Sequence, residues 1–139
     1  MDFILAPDVF VNASVAPGTP PDGVVQRVLG KKQAQAKVST WVLDRVQAML
    51  TSLPDFKADA VADQMSLIRS LVNEIEIDGA FGAADWASAL KATARSAGAG
   101  RVVTDHPDLL DVGDSDGIEF ISTDVILLEM TTPPPTPGS

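Results

Sequence analysis

Four positions concentrate the chemistry of this chain. Asp8 follows the apolar run from Phe3 to Ala6, Asp85 precedes a Leu/Ala-rich stretch, and Asp105 and His106 follow the β-branched run from Arg101 to Thr104. Carboxylates near strand ends suit hard divalent cations. Mg²⁺ and Mn²⁺ take oxygen ligands, and a metal so held lowers the pKa of a bound water and neutralises charge on a phosphate. His106 is the only histidine, and no cysteine is present, which excludes disulfides and thiolate metal sites and fits a cytoplasmic setting. One histidine among many serines makes no convincing Ser-His-Asp arrangement. Each of these residues also has a plainer reading. Asp8 then caps the turn or helix after the first strand and Asp85 is an N-cap. Asp44 and Asp105 are solvated surface charges, and His106, preceding Pro107, is a turn residue.

The elements that must position these residues follow from the pattern of apolar spacing. Phe3 to Ala6 reads as a buried strand running into a helical start. PGTPPDG, from Pro17 to Gly23, is turn chemistry. Val24, Val25, Val28 and Leu29 recur at helical spacing, with Gly30 as a cap. Gln33 to Val38 is a weakly alternating second strand. Ser39 or Thr40 caps a helix whose apolar face carries Val42, Val46, Met49, Leu50 and Leu53, and Pro54 stops it. A further helix opens near Asp59 or Asp63, and its stripe is expected to run from Val61 through Leu71 and Val72 to Ile75. IDGAFGAAD is a loop, and the helix WASALKATARSA closes at Gly98. Arg101 to Thr104 is a strand, HPDLL a turn or helical start, and DVGDSDG a polar loop. Ile118 to Ile121 is the last strand, and TDVILLEM is a terminal helix or strand end. The tail 131–139, rich in proline, is expected to be disordered.

Strands that alternate with helices imply an α/β fold, a mainly parallel sheet covered on both faces, with its site at the carboxyl ends of the strands. The 139 residues and 45% hydrophobic content suit a single domain. No apolar run approaches the ~20 residues needed to span a bilayer, and MDFILAP lacks the basic start of a signal peptide. The net charge of −9 counts against strong nonspecific grip on nucleic acid and favours a basic protein partner or divalent cations.

Several segments resemble one family. ILAPDVFVNASVAPGTPPDGVVQRVL resembles the opening of PIN domains of the toxin–antitoxin group, and KVSTWVLDRVQAML their second strand and following helix. ALKATARSAGAGRVVTDHPDLLDV is similar to the late helix, strand and acidic segment, and GIEFISTDVILLEM to the closing strand and end. The likeness spans residues 1–130. It implies a three-layer α/β fold that cleaves RNA by hydrolysis, with one or two Mg²⁺ or Mn²⁺ ions held by three or four carboxylates.

Carried over residue by residue, the resemblance is incomplete. Ala6 stands at the leading aspartate of the family and Asp8 in its asparagine slot, about 6.5 Å further along an extended chain. Arg45 falls on the helical glutamate, with Asp44 beside it. Ala87 falls near the third acid, with Asp85 two residues before it. His106 falls on the fourth, next to Asp105, while Thr104 and Asp108 match the pattern. Two expectations follow. In one, the site has eroded, Arg45 supplies the positive charge among Asp8, Asp85 and Asp105, and the protein acts by binding an antitoxin-like protein or a second copy of itself. In the other, Asp8, Asp85 and Asp105 form a displaced but working Mg²⁺ or Mn²⁺ site of a ribonuclease toxin.

Overall fold

A computed structural model describes residues 3–30 and 36–131. The first strand is short: β1 (Phe3–Leu5) passes through Ala6 into α1 (Pro7–Val15), where Pro7 at the first helical turn needs no N–H donor. A second proline-led helix, α2 (Pro20–Leu29), packs on α1 and takes in Pro20 to Gly23, expected in a turn, because prolines in a first helical turn need no N–H partner. The second strand, β2 (Ala36–Ser39), leads into α3 (Thr40–Ser52), whose first turn is capped by the Ser39 hydroxyl accepting from Val42 N at 3.2 Å. Part of the strand expected at Gln33 to Val38 lies outside the described residues.

After α4 (Ala58–Leu71) the structure departs from the apolar stripe. Val72 and Ile75 do not extend the helix but belong to β3 (Val72–Ile75), parallel to β2 in the register Ala36 with Val72. Spacing alone cannot separate the two outcomes, because residues three and four apart suit a helix while the β-branched ends of the tetrapeptide suit a strand. The exposed edge of β2 decides it by supplying backbone partners.

The rest of the chain follows α5 (Trp86–Ala97), β4 (Arg101–Val103), α6 (Pro107–Val112), β5 (Asp114–Ser115), β6 (Ile118–Ile121) and α7 (Thr123–Thr131). Gly98, at φ +72°, ends α5 in the left-handed conformation that favours glycine. DVGDSDG is more ordered than a polar loop. Asp116 and Gly117, both with positive φ, form the two-residue turn of the β5–β6 hairpin. Lys91 of α5 pins that turn by donating to Asp116 at 3.0 Å, and this contact holds the Asp116 carboxyl below its ordinary range. α7 is a helix and includes Thr131, one residue into the expected tail; 132–139 lie outside the described residues.

The described strands form one sheet in the order β1-β4-β6-β5, parallel except for the hairpin, and a parallel pair β2-β3 whose β2 lies beside β1. Helices flank this mostly parallel sheet as a three-layer α/β arrangement, and α5 packs across β1, β2, β3 and β4. From β1 the chain first builds β2 on one side and later β4 on the other. The gap between the carboxyl ends of β1 and β4 is therefore a topological switch point, the place where open α/β sheets bind ligands.

Leu90 on α5 is fully buried in the common core. Leu90→Ala is expected to lower stability by about 2–5 kcal/mol in urea unfolding. A loss below about 1 kcal/mol would show that α5 is not tightly packed on the sheet.

Candidate functional site

The switch point is occupied by a chain of polar contacts. The β1–β4 pairing continues one step past β1, where Ala6 N donates to Val103 O at 2.9 Å. That step drives Asp8 into the first turn of α1, where it is 7% exposed. Its Oδ1 accepts from the Thr104 hydroxyl at 2.8 Å and its Oδ2 from Asp105 N at 2.9 Å. The Thr104 hydroxyl in turn accepts from His106 N at 3.1 Å. Asp105, half-buried rather than solvated, spans onward to the next strand end. Its two carboxylate oxygens accept from Thr123 N at 2.9 Å and from the Thr123 hydroxyl at 2.6 Å, fastening the start of α7.

Burial pushes the Asp8 carboxyl above its ordinary range. The Asp105 N–H and the Thr104 hydroxyl oppose that shift, and the neighbouring Asp105 carboxylate adds to it. Desolvation wins because a charge removed from water costs more than two hydrogen bonds restore.

The other expected residues lie apart from this chain of contacts. Asp85 precedes α5, but its side chain does not cap the helix. Its carboxylate turns back into the loop and accepts from Gly82 N at 2.9 Å. Arg45 on α3 makes no ion pair or hydrogen bond among the described residues, so it does not serve as the cation between Asp8, Asp85 and Asp105. Asp44 is exposed, and Ala87 sits in the first turn of α5. His106 caps α6, with Nδ1 accepting from Asp108 N at 3.2 Å. Asp108 thus contributes its backbone, and its side chain points to solvent.

This arrangement bears directly on a metal. Among the described residues no three acidic or histidine side chains group to hold one ion. Asp8 and Asp105 do meet, but all four of their oxygens already accept hydrogen bonds from the protein, and Asp85 is bound elsewhere. Two engaged carboxylates do not fit the near-octahedral oxygen shell that Mg²⁺ demands.

Two features were not anticipated from sequence. Ser39 and Thr93 are both fully buried and bonded hydroxyl to hydroxyl at 2.9 Å, joining the end of β2 to α5. Ser39 at the end of β2, Thr104 just past β4 and Thr123 two residues past β6 place hydroxyls at three strand ends, and for Ser39 and Thr104 a small hydroxyl closing an apolar run is the signal that could have found them. The second is an aromatic row. Trp41 meets Trp86 edge-on at 5.9 Å, and Trp86 meets His106 at 5.6 Å.

No family model and no curated protein matches this chain. No helix among the described residues is long and apolar enough to cross a membrane.

Asp8 gives a pH-dependent test. Its carboxyl is raised in the folded state, so its contribution to stability is full below the unfolded value, near 3.8, and declines as pH rises through the folded value. Asp8→Asn keeps the shape and one acceptor without the charge. Its stability relative to wild type is therefore expected to rise between strongly acidic and neutral pH, whereas Asp8→Ala, which orphans two donors, loses about 2–4 kcal/mol in urea melts. Parallel pH profiles for Asp8→Asn and wild type would contradict this description of Asp8.

Proposed function

We propose that this chain is a PIN-like domain of the metal-dependent ribonuclease lineage that works by binding a protein partner, with nuclease activity weak or lost. The observation that carries the reading is a recess of about 450 Å³ on the helical side, between α1, α2 and α4. Its walls are periodic. α2 contributes positions 22, 25, 26 and 29, and α4 contributes 64, 67, 68 and 71, each an i, i+3, i+4, i+7 face. Phe10 and Ala13 of α1 form the floor, and Leu67 is 53% exposed in an otherwise ordered wall. Val25 and Leu29 of α2 facing Leu67, Ile68 and Leu71 of α4 at helical spacing, with Asp22, Gln26 and Gln64 at the margin, make a trough for one further amphipathic helix. The polar margin is tied within the protein, with Gln64 Nε2 donating to Ser14 Oγ at 3.1 Å. A net charge of −9 favours a basic flank on the incoming helix. An antitoxin-like protein carrying such a helix is the partner this trough suits, in preference to a second copy of this acidic chain.

The use of Asp8 and Asp105 as structural acceptors supports the loss of hydrolysis. A second reading keeps some ground because those two acids do meet at the switch point. An active Mg²⁺- or Mn²⁺-dependent ribonuclease would require Asp85 to leave Gly82 and join them.

The two readings separate on two variants. Leu67→Glu is expected to weaken a partner that has been identified, purified and shown to bind wild type by at least about tenfold, the equivalent of burying one charge without a mate. RNA incubated with the protein and Mn²⁺ is expected to remain intact. Cleavage by wild type that disappears in Asp85→Asn would establish the ribonuclease instead, and unchanged partner binding by Leu67→Glu would remove the trough from the account.

A further inference from the structure

A second recess, of about 300 Å³, lies on another part of the molecule, between the start of α3 and the loop after β3. Two of its walls are aromatic, Trp41 and Phe81, and two are acidic, Asp44 and Glu76. The rings are held in place. Trp41 Nε1 donates to Gly82 O at 3.2 Å, and its ring abuts Trp86. Phe81 lies against Gly79, where an added Cβ would come within 3.3 Å of the ring. The carboxylates, in contrast, are unspent. Neither Asp44 nor Glu76 makes a hydrogen bond or ion pair among the described residues, although the nearby Glu74 is fully engaged with Arg69 and Thr40.

Two fixed rings and two free carboxylates around one cavity select a particular ligand chemistry. Ring faces attract organic cations, and more so when the cation is weakly hydrated. A hydrated metal ion gains little from such walls. A guanidinium gains from both kinds of wall, because it is planar enough to stack and presents a donor fork to carboxylate. The start of α3 contributes an opposing partial charge of about +0.5, which two carboxylates outweigh. We propose that this recess binds the guanidinium of an arginine side chain presented by a partner protein. It is separate from the helical trough and stands whether or not that trough is occupied.

The test uses the full chain, titrated with N-acetyl-arginine methylamide at low salt while tryptophan fluorescence and the Trp41 indole N–H resonance are followed. N-acetyl-norleucine methylamide serves as the uncharged match and spermidine as a flexible polycation. Saturable change with the arginine compound, none with norleucine and weaker binding of spermidine are expected. Asp44→Asn combined with Glu76→Gln should weaken arginine binding at least about tenfold. Asp59→Asn combined with Asp63→Asn removes the same charge from the exposed face of α4 and should change it less than about twofold. These four acids are exposed and make no side-chain contacts that the fold needs. No saturable response to millimolar arginine compound would overturn the proposal. Equal weakening by both double variants would reduce it to overall charge attraction, and spermidine binding as tightly as arginine would remove the guanidinium preference.

Discussion

The structure depends on a buried carboxylate that cannot be left without donors. Strands β1 and β4 are three residues long, so their shared ladder offers few backbone hydrogen bonds. Side chains extend the connection beyond it. Asp8 gathers Thr104 and Asp105, and Asp105 gathers Thr123, so three successive strand ends in the sheet are tied by five hydrogen bonds, counting that from His106 N. Helices α1, α6 and α7 all begin at this edge, and their N-terminal partial charges favour carboxylates there. Every buried side-chain oxygen and nitrogen among the described residues has a partner. Removal of any single member is costly, because it leaves a hydrogen-bonding group unpaired beside the buried Asp8, Thr104 or Thr123.

The same edge illustrates how a metal-binding arrangement and a structural one differ. Both need acids at the carboxyl ends of parallel strands. A metal site leaves carboxylate lone pairs pointing into a common space. Here, both acids turn toward backbone and hydroxyl donors, and the third candidate, Asp85, steadies its own loop through Gly82. The polar contacts at this edge therefore read as architecture, while the helical trough and the aromatic, acidic recess are open to solvent.

Much of the fold was legible in the residues. Apolar runs bounded by Pro, Gly and hydroxyl residues marked β1, β4, β6 and the helices α3 and α5, because these elements carry their own start and stop signals, whereas α2 was legible only from Val24 because its leading Pro-Pro-Asp-Gly also suits a turn. β3 was not legible. Val72 and Ile75 continue the helical spacing of α4, and only the waiting edge of β2 turns them into a strand. At the site, the sequence located Asp8 and Asp105 beside strand ends but not the direction of their side chains. Asp105 looked like a surface charge because its acceptor role depends on Thr123, 18 residues away in sequence. Arg45 looked like a substitute cation because a linear register cannot show that its guanidinium meets none of the three acids. Asp85 looked like a helix cap, and its local turn, not α5, won the carboxylate.

The central claim is that the carboxylates at the switch point are structural acceptors and not metal ligands. The most direct measurement is the melting temperature across a Mg²⁺ and Mn²⁺ titration, in wild type and Asp85→Asn. A metal bound only by the folded state at 100 times its dissociation constant would add about 2.7 kcal/mol, several degrees for a domain of this size. The account predicts no saturable shift at millimolar metal in either protein. A saturable rise in wild type that vanishes in Asp85→Asn would contradict it.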